Sequence, residues 1–265
     1  MTTLQAIIIA IVEGITEFLP ISSTGHMAIT SSLLKVADAG FNELFIENIQ
    51  FGAIISVLVL YYKKFLDFKR LDFYFKLLVA FIPAAIVGFA FKKMIGEALK
   101  NPLFIATVMF VGGVILLFVD NWFRNPTIHS EREISFKRAF IIGLYQILAV
   151  LFPGLSRSAA TIIGGMQQKL DRSAAAEFSF FLAVPTLFGA FVLSAWDAHK
   201  HNPEYLHGGN LKMLLIGNVI AFVVAVFAIK FFISFLKKYG FKIWGWYRII
   251  AGAILFLLIW KGIIN

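Results

Sequence analysis

Residues 13 to 26 read Glu13-Gly-Ile-Thr-Glu-Phe-Leu-Pro-Ile-Ser-Ser-Thr-Gly-His26 and bring carboxylates, hydroxyls and a histidine into an oily part of the chain. Residues 4–12, just before this stretch, are nearly all apolar, so the polar cluster is predicted to lie at membrane depth. A charged side chain near the bilayer centre costs about 2.5–3.5 kcal/mol on insertion scales, and such side chains usually face a protein interior and carry function. The stretch is therefore the first candidate for a functional site.

The same stretch predicts a broken helix. Glu13 and Glu17 are four residues apart and share one helix face. Pro20 ends that helix, and the Ser-Ser-Thr-Gly run at 22–25 is typical of the N-terminus of a new helix. Two carboxylates are thus predicted to meet a potential anion site.

Composition places the chain in a membrane. Of its 265 residues 60% are hydrophobic, against about 45–50% in soluble domains. It has no cysteine, which excludes disulfides, thiolate catalysis and cysteine-ligated zinc. The net charge of +9 comes from basic residues in short loops between apolar runs, which is the pattern of membrane topology and not of a nucleic-acid partner.

Six apolar runs of about 15–20 residues are long enough to cross or nearly cross a bilayer. They are residues 48–62, 73–91, 103–120, 177–195, 211–230 and 244–260. Two further regions, 4–19 with 27–34 and 139–152 with 159–167, each contain a helix, a polar break and a half-length helix. We predict that both are re-entrant hairpins, because broken backbone at that depth is tolerated only inside protein or against a watery cavity. The predicted fold class is an all-α polytopic membrane protein.

The two hairpin regions also resemble each other. A shift of 133 positions (139 − 6) places six residues on identical ones, namely Ala6, Ile8, Ile9, Pro20, Ser23 and Ile29. Three spans follow each hairpin, so the halves, approximately 1–120 and 136–262, are predicted to run antiparallel as an inverted repeat within one membrane domain, 1–265. The two breaks should then face each other near the midplane.

Loop charge predicts the orientation. Most lysines and arginines lie in loops 63–72, 121–138, 168–176 and 231–243, which we therefore place in the cytoplasm. Both termini and the mouth of the first hairpin then lie outside. Arg248, near a span end, is expected to snorkel to the interface. The tryptophans near span ends are expected to be interfacial anchors, namely Trp196, Trp244, Trp246 and Trp260.

The second break contains Arg157, flanked by Ser156 and Ser158 at the start of a half-helix. Arginine binds phosphate or carboxylate in bidentate fashion, and a helix N-terminus adds N–H donors. The structural alternative is an ion pair between Arg157 and Glu13 or Glu17. A functional role for Arg157 is favoured, because the two breaks are predicted to meet and to bring the acids, the hydroxyls and the arginine together.

Several chemical roles are compatible with the two glutamates and the histidine of the first break. Glu13 and Glu17 suit a hard divalent cation, which would also neutralise phosphates, but a proton relay or a salt bridge fits them too. His26 is a candidate nucleophile or general acid, or a satisfied buried histidine. Polar residues on two spans either line a cavity or bond neighbouring helices. These are Asn48, Gln50, Glu177 and Ser179.

Three motifs carry a resemblance along the whole chain. Residues 13–26, Pro153-Gly-Leu-Ser-Arg-Ser158 and Glu177-Phe-Ser-Phe-Phe-Leu-Ala-Val-Pro185 resemble the signatures of bacterial undecaprenyl-diphosphate phosphatases, the bacitracin-resistance (BacA/UppP) family. One departure is Ala159, where the family usually has glycine.

The resemblance implies hydrolysis of undecaprenyl diphosphate to undecaprenyl phosphate and inorganic phosphate, which recycles the lipid carrier for peptidoglycan synthesis and gives resistance to bacitracin, a competitor for the substrate. It implies a divalent cation (Mg²⁺ or Ca²⁺) held by Glu13 and Glu17, and a site in the bacterial inner membrane facing the periplasm or cell exterior. The implied catalytic residues are Glu13, Glu17, Ser23, His26 and Arg157. The predicted substrate-binding residues are Ser22, Thr24, Gly25, Gln50, Ser156, Ser158 and Glu177.

An enzyme is not the only protein class that fits this constellation. A transporter or flippase for a lipid phosphate or other anion would also place two broken helices around an anion. The nucleophile-like cluster and the motif favour the enzyme, with His26 favoured over Ser23 as nucleophile and direct attack by water as a third route. A homo-oligomer is compatible with the sequence.

Overall fold

The structure is a computed structural model that describes residues 1–264, and within that range it is built of α-helices without a β-strand. The predicted all-α class is confirmed. Short 3₁₀ turns at Glu131–Glu133 and Pro203–Leu206 complete the regular structure. The helices are α1 (Thr3–Thr16), α2 (Ser23–Leu33), α3 (Ala39–Leu60), α4 (Tyr62–Phe65), α5 (Leu71–Ala90), α6 (Lys92–Leu99), α7 (Pro102–Trp122), α8 (Phe136–Leu151), α9 (Arg157–Gln167), α10 (Arg172–His201), α11 (Gly208–Tyr239) and α12 (Lys242–Trp260).

Six helices are long and apolar enough to cross a membrane, and they correspond to the six predicted spans. They are α3, α5, α7, α10, α11 and α12, with 19 to 32 residues each. The longest, α10 and α11, extend well beyond the predicted 177–195 and 211–230. Large apolar side chains cover their outer surface, and Phe89 is 83% exposed, as expected of a lipid-facing residue.

Two broken helices lie where the sequence predicts hairpins. α1 has 14 residues, about 21 Å at 1.5 Å per residue, and α2 has 11, so neither spans a hydrocarbon core of about 30 Å. α8 and α9, with 16 and 11 residues, repeat this arrangement. These lengths fit re-entrant hairpins, although their insertion from one membrane face stays a prediction.

The local backbone geometry recurs in the two broken helices. Ser22 caps α2 at φ 71° and Ser156 caps α9 at φ 74°. After the half-helices, Lys35 and Lys169 also have positive φ, 50° and 71°. The offset is 134 for both pairs (156 − 22 and 169 − 35), one more than the shift of 133 that aligns the sequences. The inverted repeat itself remains a prediction that this recurrence supports.

The two halves of the chain interlock. α1 packs along α11, and α8 packs along α5, so the first helix of each broken pair lies against a span from the other half. Gly14 permits the close approach of α1, because a Cβ there would lie 2.8 Å from the carbonyl oxygen of Ala221. The last helix, α12, packs along α7. One side of each broken helix thus packs against protein, while α1 and α8 keep exposed apolar side chains on the other side.

The basic loops gather on one face, as the charge count requires. Lys64 and Arg70 both bond the carboxylate of Glu131, at 3.0 and 3.2 Å. Burial raises the pKa of Glu131, but hydrogen bonds and charge from these cations more than offset it and hold that pKa below its usual range. Which side of the membrane this face occupies stays a prediction.

Asp120 ties two further loops to the same face. Its carboxylate accepts hydrogen bonds from Nε of Arg172 at 2.7 Å and from the backbone N–H of Phe241 at 2.7 Å. The loops predicted to share the cytoplasmic side are therefore in mutual contact.

Two expectations about span ends are wrong. Trp244 is only 7% exposed and packs on the rings of Phe232 and Phe235, with centroids 5.4 and 5.3 Å away, so it is a core residue and not an interfacial anchor. Arg248 is fully buried and does not snorkel. Closeness to a helix end did not predict the burial of these two residues, because this part of α12 packs against other helices.

Arg248 instead joins three segments. It donates from Nη1 to the carbonyl oxygens of Pro20 (3.3 Å) and Leu155 (2.7 Å), and from Nη2 to that of Gly154 (2.9 Å). Its Nε donates to the carbonyl of Met109 on α7 at 3.2 Å. The carbonyls of Pro20, Gly154 and Leu155 lie outside the helices, at the breaks, and a guanidinium with five N–H groups satisfies several at once.

Candidate active site

The two breaks are in direct contact. The hydroxyl of Ser158 donates to the carbonyl oxygen of Leu19 at 2.8 Å, and that of Ser156 reaches the same oxygen at 3.5 Å. Together with Arg248, these bonds hold the end of α1 against the start of α9. The predicted meeting of the two breaks is present in the structure.

Arg157 and Glu17 lie at the centre of this contact. Nη2 of Arg157 donates to one Glu17 oxygen at 3.1 Å, and Ser23 Oγ donates to the other at 2.7 Å. Nη1 of Arg157 donates to the carbonyl oxygen of Ser179 on α10 at 3.1 Å. The ion pair considered as a structural alternative is thus formed, and its carboxylate also holds a serine hydroxyl.

A cavity of about 130 Å³ opens beside this pair. Both helix starts border it, α2 through its first residues and α9 through Ser156 and Arg157, so N-terminal N–H groups and a guanidinium converge on one space. Such a space favours an anion. The cavity is lined by Glu17, Ser22, Ser23, Thr24, Gln50, Ala149, Ser156, Arg157 and Leu187.

Two of the predicted substrate-binding residues instead stabilise the backbone at the breaks. Gly25 donates its N–H to the capping hydroxyl of Ser22 at 3.3 Å and lies against Met109, and Ser158 is fully buried with its hydroxyl on Leu19. Neither borders the cavity. They shape the helix starts that do.

Glu13 is fully buried one turn before Glu17, and neither of its oxygens has a hydrogen-bond partner among residues 1–264. Nε of Arg157 is likewise buried without a partner in that range. A buried carboxylate without a partner is costly unless it holds a proton or a cation. The site therefore contains a carboxylate, that of Glu13, and a donor, Nε of Arg157, that form no hydrogen bond within residues 1–264.

His26 points away from Glu17. Its Nδ1 lies 2.7 Å from the carbonyl oxygen of Ser22, and its Nε2 lies 2.7 Å from the hydroxyl of Tyr247 on α12. No hydrogen bond among the described residues joins the imidazole to Glu13 or Glu17. Sequence reasoning missed Tyr247, and only its position beside Arg248 in an apolar span could have drawn notice.

The polar span residues divide between cavity and helix contacts. Gln50 lines the cavity. Asn48 accepts a hydrogen bond from Asn218 at 2.6 Å, which joins α3 to α11, and Ser179 bonds Thr161 through its hydroxyl at 2.7 Å. Glu177 is not brought to the site, because its carboxylate pairs with Lys64 at 3.1 Å on the basic face.

Sequence comparison identifies the relatives of this site. A model of the family described as bacitracin resistance protein BacA matches residues 6–254. The chain belongs to this family. The matched range begins within α1 and ends within α12, beyond Arg248. Every residue that lines the cavity therefore lies inside it.

Members of the BacA family with high similarity carry one name. A protein of Flavobacterium johnsoniae named undecaprenyl-diphosphatase is 55% identical over 97% of this chain and 96% of its own length. Proteins of the same name from Porphyromonas gingivalis W83 and Desulfitobacterium hafniense are 50% and 41% identical, over 99% and 96% of this chain and 99% and 94% of their lengths.

Proposed function

We propose that this chain is an integral membrane phosphatase that hydrolyses undecaprenyl diphosphate to undecaprenyl phosphate and inorganic phosphate. The observation that carries the proposal is the cavity where Arg157, Ser23 and two helix N-termini converge between membrane helices. The names of the relatives supply the substrate class. Neither the names nor the geometry favours a transporter.

The diphosphate binds at the two helix starts. Arg157 lines the cavity and has a buried Nε without a partner among residues 1–264, and the first residues of α2 and α9 add N–H donors and hydroxyls. Fixed donors of this kind stabilise charge on a transferring phosphoryl group without reorganising. The exposed apolar surface of the spans gives the prenyl chain a place in lipid.

We infer that Ser23 attacks the terminal phosphorus. Its hydroxyl already donates to Glu17 at 2.7 Å, so the carboxylate is placed to take the proton as the oxygen–phosphorus bond forms. The phosphoanhydride bond breaks and undecaprenyl phosphate leaves. The geometry thus favours Ser23 over His26, which does not border the cavity.

His26 suits the second step, hydrolysis of the phosphoserine by water. A carbonyl oxygen only accepts hydrogen bonds, so in the neutral ring Nδ1 carries the proton that is donated to Ser22. Nε2 is then the basic nitrogen. We assign it the role of general base toward the attacking water, which would lie between Nε2 and the phosphoserine because His26 itself does not border the cavity.

A divalent cation is proposed to act with Glu13 and Glu17. The unused oxygens of Glu13 support it, whereas both Glu17 oxygens are already bonded. The described residues contain no group of three or more acidic, histidine or cysteine side chains that could hold a metal, so the remaining ligands would come from the diphosphate and water, as is common for Mg²⁺. When bound, the ion would neutralise phosphate charge.

The cellular setting follows from the same arguments. We propose a bacterial inner membrane, with the cavity reached from the periplasm or cell exterior, because the loops rich in lysine and arginine are expected in the cytoplasm and the mouth of the first hairpin on the other side. Competition by bacitracin and assembly into a homo-oligomer remain proposals of the same kind.

Phosphate release from undecaprenyl diphosphate by detergent-purified protein, with and without chelator, tests the function. A protein that binds the lipid and releases no phosphate would be a carrier. Rapid quenching with labelled substrate tests the route, because His26→Gln should accumulate an acid-stable phosphoenzyme that Ser23→Ala in the same background abolishes. An acid-labile, alkali-stable adduct would assign the attack to histidine instead.

A further inference from the structure

The imidazole of His26 is held at both nitrogens. Nδ1–H donates to the Ser22 carbonyl oxygen and the Tyr247 hydroxyl donates to Nε2, each at 2.7 Å. The Tyr247 and His26 rings lie nearly parallel, at 7° with centroids 5.6 Å apart. These contacts come from two distant parts of the chain, the first break and the last span.

Tyr247 is itself well anchored. The next residue, Arg248, is fully buried and bonded to both breaks and to α7, so the backbone of α12 is fixed relative to the first break. The phenol therefore reaches Nε2 from a fixed position, while its ring is 43% exposed. A neutral imidazole has one lone pair, and in the free protein this hydroxyl occupies it.

We propose that Tyr247 is a positioning residue that fixes the plane of His26, whose tautomer the Ser22 carbonyl oxygen sets, so that Nε2 is presented as the base when water replaces the phenol there. The inference rests on the role assigned to His26 above. Without the Tyr247 hydroxyl, the imidazole would keep only its hydrogen bond to Ser22 and could rotate about that bond. Tyr247 does not border the cavity, so substrate binding should be independent of it.

The test compares Tyr247→Phe with Tyr239→Phe, a tyrosine that is 50% exposed and whose hydroxyl makes no hydrogen bond to the described residues. Loss of one hydrogen bond predicts a fall of about two- to tenfold in the rate of phosphoenzyme decay for Tyr247→Phe, with an unchanged rate of phosphoenzyme formation. Tyr239→Phe should match the wild type. A merely structural defect would slow formation and decay alike.

A spectroscopic measurement tests the contact without relying on activity. In protein labelled with ¹⁵N-histidine, the Nε2 resonance of His26, assigned by its loss in His26→Gln, should move in Tyr247→Phe while Nδ1 stays put. A wild-type rate of phosphoenzyme decay in Tyr247→Phe, or an unmoved Nε2 resonance, overturns the inference. If His26→Gln is as active as the wild type, the role proposed for His26 fails instead, whatever Tyr247→Phe shows in the spectrum.

Discussion

Replacing Arg157 by lysine should be nearly as damaging as replacing it by alanine. The guanidinium reaches two acceptors in different directions, Glu17 through Nη2 and Ser179 through Nη1, both at 3.1 Å, and keeps a buried Nε without a partner in the described chain. Lysine has a single nitrogen and cannot reproduce the fork. Losing one charge-assisted bond is worth about 1.5–3 kcal/mol, or about tenfold to a hundredfold in kcat/KM.

The assay is phosphate release by purified wild type, Arg157→Lys and Arg157→Ala, with thermal stability measured alongside. Arg172→Lys is the matched control, because Arg172 also pairs with a carboxylate, that of Asp120, but lies outside the cavity. A partly exposed pair of this kind contributes about 1 kcal/mol or less, so this control should lose little activity. Arg157→Lys retaining most of the wild-type kcat/KM would refute the argument and show that positive charge alone suffices.

Three further predictions follow from other parts of the structure. Glu13→Gln should remove most activity and raise the divalent-cation concentration needed for half-maximal rate; an unchanged cation requirement would exclude Glu13 as a ligand. A cysteine at Lys93, an exposed position, should react with an impermeant thiol reagent in intact cells and one at Lys69 should not, and the reverse labelling would invert the topology. Gly154→Ala should destabilise the protein by at least about 1–2 kcal/mol, because φ is 101° there and the new Cβ would lie 2.6 Å from a backbone oxygen. Gly96→Ala, with open space around it, should be tolerated. Thermal unfolding of the two variants would show the difference.

The helices and breaks could be predicted because their signals are local. Pro20 and the capping serines Ser22 and Ser156 mark where one helix ends and the next begins, and the structure starts α2 and α9 directly after those caps. Long apolar runs predict spans by length alone. The ends of α10 and α11 were underestimated because polar residues continue a helix beyond the hydrocarbon region.

Contacts between distant segments were predictable only where charge demanded a partner. The pairing of Arg157 with Glu17 follows from the cost of leaving either one alone in a membrane. That argument applies equally to Arg248, which was assigned to the interface because of its place near a span end. Its actual partners are backbone carbonyls, which carry no sequence signal, and the same holds for the Ser158 contact with Leu19.

Tyr247 and Glu177 show the limits of residue type as a guide. A tyrosine in an apolar span is unremarkable, so its bond to His26 could emerge only from the packing of α12 beside α2. Glu177 belongs to a recognisable motif, yet its carboxylate turns to the basic face and meets Lys64. The direction of a side chain around a helix depends on neighbours that the sequence does not name.

The bonds made by Arg248 have a consequence for biosynthesis. The residue lies in the final helix, while the carbonyls that it holds belong to segments made much earlier, at Pro20 and at Gly154–Leu155. During translation, the two breaks have no such clamp until α12 has left the ribosome and entered the bilayer. The contact between the two breaks therefore depends on a helix that is synthesised after both of them, and a nascent chain that stalls before α12 lacks the guanidinium that joins them.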